Sequence, residues 1–194
     1  MKLYLSIIGV AATAICAINI ALGTAAWYEV LAAVAWCVAL NFACDGLIAF
    51  LIHKIPDRHF GADKRLFRVS AREQRLYLRL GVKRWKDKIW ELGGLGGFSK
   101  KRLAEPGNPA YVEQFIIECN KGVLTHRLSY PVGFLLMLTL WNACAFTIAL
   151  PIACVNLYLN ILPTIALRYN TPKLKSLLER LLRKEQRRSE RKVL

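Results

Sequence analysis

Several short signatures are missing from these 194 residues, and each absence removes a class of chemistry. There are six cysteines but no C-x-x-C pair, so no thiolate metal or redox site is legible. Five of them (Cys16, Cys37, Cys44, Cys144 and Cys154) stand in apolar runs, where cysteine serves as a small hydrophobe. Only Cys119 has polar neighbours, either as an ordinary thiol or as one able to form a thioester. No G-x-x-x-x-G-K-[ST] string exists to cradle a nucleotide, and no G-x-S-x-G to present a nucleophilic serine. Acids are scarce as well, at 13 Asp+Glu against 28 Lys+Arg, a formal charge of +15. A nucleic-acid binder shares that bias, but it has no use for the long apolar runs found here.

Those runs dominate what is present. The chain is 55% hydrophobic with a mean hydropathy of +0.32, and its charges are segregated from its apolar stretches. Leu3 to Gly23 is apolar throughout, long enough at ~1.5 Å per residue to cross a hydrocarbon core of ~30 Å. It is too long for the apolar part of a cleaved signal and reads as a first span. Trp27 to Ile52 forms a second, with Trp27 and Tyr28 suited to the interface. Asn41 and Asp45 lie four apart on one face of this run. An acid at that depth is either a functional group or a partner for another helix or for water. Tyr130 to Leu150 makes a third span and Pro151 to Leu167 a fourth, turning at Leu150-Pro151, where proline disfavours helix in the residue before it. A re-entrant element over 128–170 is the alternative. Asn156, Asn160 and Pro163 mark the fourth span as kinked and partly protein-facing.

Between the spans lies a basic segment. Ser70-Ala71-Arg72-Glu73 has the form of a capping box opening a helix through Leu80. Gly81 permits a bend, and Lys83 to Leu92 reads as a short helix in the headgroup layer, with Trp85 and Trp90 beside cations. The glycines of Gly93 to Gly97 require a loop. Asn108-Pro109 begins a further helix toward His126, with a possible break at Gly122. Thr171-Pro172 begins a final basic helix with a leucine stripe. The expected fold is therefore an all-α integral membrane protein of about four transmembrane helices, with a central cytoplasmic segment and a C-terminal amphipathic helix. Its parts are 1–53, 54–127, 128–170 and 171–194. Lys and Arg crowd the central segment and the tail, which places both, and the N-terminus, on the cytoplasmic side.

Five ordered strings carry a resemblance. They are Ile55-Pro56-Asp57-x-x-Phe60, Leu80-Gly81-Val82-Lys83-Arg84-Trp85-Lys86-Asp87-Lys88, Gly96-Gly97-Phe98-Ser99-Lys100-Lys101, Leu124-Thr125-His126 and Arg168-Tyr169-Asn170-Thr171-Pro172. Together they resemble the glycosyl-4,4'-diaponeurosporenoate acyltransferases, small bacterial membrane enzymes that attach a fatty acyl group to the sugar of a carotenoid glycoside. The chain departs from the family's pattern in two places: Val123 and Arg127 stand where a glutamate precedes and a tryptophan follows the histidine, and Trp90-Glu91-Leu92-Gly93 stands where Pro-Glu-Ala-Gly leads into the glycines. The resemblance implies a cell-membrane enzyme of carotenoid or glycolipid biosynthesis, with membrane lipids, a glycosylated lipid acceptor and an acyl donor (acyl-CoA or acyl-ACP) as partners. It implies no metal and no further cofactor.

Acyl transfer to a hydroxyl needs a base, a stabiliser for the oxyanion and a donor site. His126 suits the base because imidazole titrates near neutrality; packing at the interface is the other reading. Glu118 could orient it only if their common helix breaks at Gly122, since eight residues of helix separate them by roughly 12 Å. Asp57 and Asp87 are the alternative acids, or salt-bridge partners. Lys83, Arg84, Lys86 and Lys100 suit a phosphate of the donor or of a lipid. Trp85, Gly96, Gly97, Phe98, Ser99, Arg168 and Asn170 complete the expected substrate site. A lipid methyltransferase or reductase, or a non-catalytic lipid-binding subunit, would share many of these features.

Overall fold

The computed structural model describes residues 2–89, 103–140 and 144–193. Among these every regular element is helical: α1 (Lys2–Ala21), α2 (Trp27–Lys54), α3 (Ala71–Arg79), α4 (Val82–Trp85), α5 (Pro109–Leu135) and α6 (Leu150–Val193), with short 3-10 and π turns between them. Among the described residues three helical stretches are long and apolar enough to cross a membrane: Tyr4–Ala21, Trp27–Lys54 and Ala145–Arg191. The chain divides into two compact units. One comprises Met1–Ile52 and Leu124–Leu162, the other His53–Val123 and Pro163–Leu194.

In the first unit α1 and α2 are joined by a tight turn in which Gly23 takes φ +62°, a left-handed conformation that glycine adopts without strain. Ile15, Val30, Val34, Cys37, Ile148 and Ile152 form its apolar core. The expected third span, Tyr130–Leu150, is not a helix of its own. α5 carries the chain on to Leu135, a 3-10 turn follows at Leu136–Thr139, and a π turn at Ala145–Ala149 leads into α6. The apolar end of α5 beyond Arg127 adds only about 12 Å of rise, less than half a hydrocarbon core. Leu150-Pro151 lies within the helical stretch that the π turn opens, so the chain does not turn at that point. α5 and α6 approach closely there because Gly133 has no side chain: a Cβ would lie 3.5 Å from Ala153 Cα.

Pro151 therefore sits inside a helical stretch. It has no N–H to give to the Thr147 carbonyl four residues back, and that carbonyl accepts instead from Asn19 Nδ2 at 3.0 Å. Trp36 Nε1 donates to Thr139 Oγ1 at 3.2 Å, fixing the 3-10 turn against α2.

The second unit begins with the helix starts expected from local chemistry. Ser70 Oγ accepts from Glu73 N at 3.1 Å to cap α3, and Asn108 Oδ1 accepts from Tyr111 N at 3.3 Å to cap α5. Gly81 bends the chain at φ +60°. Tyr77, Val82 and Tyr169 pack into a small core with Val69, Trp85 and Ile165 against it. The expected helix from Lys83 is shorter, ending at Trp85 with a 3-10 turn over Lys86–Lys88, after which Ile89 is extended. The loop over Gly93–Gly97 lies outside the described residues. No separate helix starts at Thr171-Pro172, because α6 runs through Pro163 and Pro172 unbroken. Just ahead of Pro172, Thr171 Oγ1 donates to the Leu167 carbonyl at 3.1 Å.

Candidate active site

The first unit gathers polar side chains that the sequence scatters over three helices. α2 supplies Asn41 and Asp45, α5 supplies His126 and Ser129, and α6 supplies Asn156 and Asn160. Helical spacing of three or four residues puts each pair on one face. Asn160 Nδ2 donates to Asp45 Oδ2 at 3.4 Å and to Asn156 Oδ1 at 3.0 Å. That orientation turns its Oδ1 toward His126, whose Nδ1 lies 2.8 Å away. An amide oxygen can only accept, so the His126 proton resides on Nδ1 and the lone pair on Nε2. Ser129 faces the Asp45 carboxylate as a side-chain hydrogen-bond partner, and two buried atoms of the cluster, Asn41 Oδ1 and Asn156 Nδ2, have no partner. Leaving such a group unpaired costs roughly 1–3 kcal/mol, which a bound polar molecule would recover. A small, half-open cleft between α1, α2 and α6 has Asn41, Asp45 and Asn156 in its lining.

Two ionic networks organise the second unit. Lys121, almost wholly buried, meets Asp57 Oδ1 at 2.6 Å and Glu118 Oε1 at 3.1 Å. Gln114 Nε2 donates to Asp57 at 3.4 Å, and His53 stands 3.6 Å from Glu118. The Lys121 hydrogen bond, helped by Gln114 against slight burial, holds the Asp57 carboxyl below the usual carboxylate range. Burial works against the Lys121 charge, but Asp57 and Glu118 hold its ammonium above the ordinary value. In the second network Arg168 Nη2 donates to Glu73 Oε2 at 2.7 Å and to the Arg68 carbonyl at 2.9 Å, while the Tyr77 hydroxyl also donates to Glu73. Burial and Glu73 push the Tyr77 phenol up to about 12. Among the described residues no group of three His, Cys, Asp or Glu is placed to hold a metal ion.

The profile of the glycosyl-4,4'-diaponeurosporenoate acyltransferase family matches residues 58–180, well over half of the chain. The chain belongs to this acyltransferase family. No curated protein and no solved structure matches it. The matched region of the chain holds His126, Asn156 and Asn160, whereas Asn41 and Asp45 come from α2, ahead of it.

The residues expected at the site are distributed as follows. His126 joins the polar cluster of the first unit. α5 does not break at Gly122, so Glu118 stays two turns from His126 along the helix, about 12 Å of rise, and pairs with Lys121 instead. Asp57 shares that lysine. Asp87 pairs with its neighbour Lys86 at 2.6 Å. Lys83 and Arg84 are exposed, while Trp85 donates to the Leu80 carbonyl at 3.0 Å and packs on the Tyr77–Tyr169 core. The Arg168 fork is occupied by Glu73, and Asn170, two residues on, points some 200° around the helix from it. Gly96, Gly97, Phe98, Ser99 and Lys100 lie outside the described residues. The part played by Asn160 was not anticipated. Its signal was the pairing of Asn41 with Asp45 and of Asn156 with Asn160, both four apart in apolar runs.

Proposed function

We propose that this family member transfers a fatty acyl group to a sugar hydroxyl of a glycosylated isoprenoid or glycolipid, with His126 as general base. The observation that carries this reading is the Asp45–Asn160–His126 chain of hydrogen bonds, which leaves the lone pair on Nε2. Nε2 takes the proton of the attacking hydroxyl as its oxygen bonds to the acyl carbon of a thioester. The carbon–sulfur bond then breaks, and the imidazolium returns the proton to the leaving thiolate. Asn160, itself held by Asp45, accepts from Nδ1 and holds the ring in the working tautomer. The donor is an acyl-CoA or acyl-ACP reaching the site from the cytoplasm. Lys83, Arg84, Lys86 and Lys100 give segment 54–127 a positive charge suited to phosphates, and no other cofactor is required. The basic segment 54–127 and the basic tail face the cytoplasmic side of the cell membrane.

His126→Ala should still insert and yet lose product formation by roughly 10²–10⁴-fold, as removal of a general base does. Mass spectrometry of product made by purified protein from an acyl-CoA and a glycosylated isoprenoid measures this. Full turnover by His126→Ala would remove it from the catalytic role.

A further inference from the structure

The last part of α6 carries its charge in a definite order. Leu174 and Leu178 are buried, so most of the leucine stripe is turned to protein, with Leu182 half exposed at its end. From Arg183 to Arg191 every residue is exposed and none is apolar, which leaves no apolar face to sink into lipid. At about 100° of turn per residue, Lys173, Arg180, Lys184, Arg187 and Arg191 fall within about 60° of arc, an exposed row about 27 Å long. Glu179, Glu185 and Glu190 all lie off this row. Its near end is held in place: Lys173 Nζ stands 4.2 Å from the centre of the Tyr169 ring, and Arg180 Nε donates to the Ser176 carbonyl at 3.1 Å. Among the described residues none of the five cations meets a carboxylate.

An anionic leaflet attracts cations in any arrangement, because its headgroups diffuse to meet them. A row in register with the helical repeat is matched by a second helix that presents carboxylates at the same repeat. From this we infer that the row docks an acidic, helical acyl carrier protein, whose thioester is then the acyl donor. A second copy of this chain laid on the row would oppose cation to cation. Coenzyme A concentrates its charge at one nucleotide end, too short to engage a row of about 27 Å. The inference rests on the acyl-transfer reading and names the form in which the donor arrives.

The test uses full-length protein in phosphatidylcholine nanodiscs, a purified bacterial acyl carrier protein loaded with palmitate, and palmitoyl-CoA. Surface plasmon resonance should show the loaded carrier binding. The combined variant Arg180→Glu, Lys184→Glu, Arg187→Glu should weaken that binding by about tenfold or more. These side chains are exposed, so the variant should unfold at the wild-type temperature and turn over palmitoyl-CoA as the wild type does. Carrier whose acidic helix is changed to lysine should bind the variant and not the wild type. No carrier binding, binding indifferent to the variant, or no rescue by the reversed carrier would overturn the assignment. So would loss of the carrier when phosphatidylglycerol is added to the disc, which would show the row held by lipid. His126→Ala should bind the carrier unchanged, since docking needs no base. Turnover of palmitoyl-CoA without carrier binding refutes the docking row and leaves acyl transfer standing. Carrier binding with no product from either donor does the reverse.

Discussion

Arg168 is 4% exposed, and its charge is held there by two oxygens of Glu73 and the Arg68 carbonyl. A planar guanidinium can meet a carboxylate with two parallel bonds, which a lysine cannot reproduce. Arg168→Met therefore strands Glu73 and should destabilise the protein by about 3 kcal/mol, read from denaturation in detergent. At Asp57 the consequence is a dependence on pH. Its carboxyl is lowered by Lys121, so its contribution is complete above the ordinary aspartate value of about 4 and fades as acid carries the pH down through the lowered one. Thermal stability of the wild type should fall on acidification below about pH 4, and Asp57→Asn should lose less over the same interval. The motif Arg-Tyr-Asn-Thr-Pro marked Arg168 as special but said nothing of Glu73, 95 residues away. Only folding brings the two together.

At the scale of helices, what local chemistry controls was legible. The Ser70 capping box, the left-handed Gly81 and the Asn108-Pro109 start each depend on residues within one turn, and each stands where the sequence put it. The prolines misled, because the cost of a proline in a helix can be offset by partners distant in sequence. Asn19 supplies one such partner to Thr147, and α6 continues through Pro163 and Pro172. The end of α5 at Leu135 was equally hidden, since Leu136-Met137-Leu138-Thr139 carries no turn signal and its 3-10 turn is held by Trp36. The Asn19 contact can be tested as a cycle. Asn19→Ala should destabilise by roughly 1–3 kcal/mol, and by clearly less in a Pro151→Ala background, where a backbone N–H can reach Thr147. Equal losses in both backgrounds, measured by thermal unfolding, would show that proline compensation is not its role.

For the molecule as a whole, composition and charge segregation announced a helical membrane protein, and three helices long and apolar enough to span bear that out. Five ordered motifs pointed to the family that the profile match establishes over residues 58–180. The site was legible in its residue types and not in its assembly. His126 and Asp45 stood out singly, but the amide joining them needed α2, α5 and α6 packed in one unit. Sidedness has its own expected outcome: in a cysteine-free background, cysteines placed at Lys88 and Arg187 should react with an impermeant maleimide only from the cytoplasmic face. The central claim is that Asp45, acting through Asn160, keeps the His126 proton on Nδ1 and the basic lone pair on Nε2. Nitrogen-15 NMR of histidine-labelled protein in nanodiscs, with the His126 signals assigned by their loss in His126→Ala, reads this tautomer directly. At a pH where the ring is neutral, the expected result is a protonated Nδ1 and an unprotonated Nε2; the reverse tautomer would contradict it.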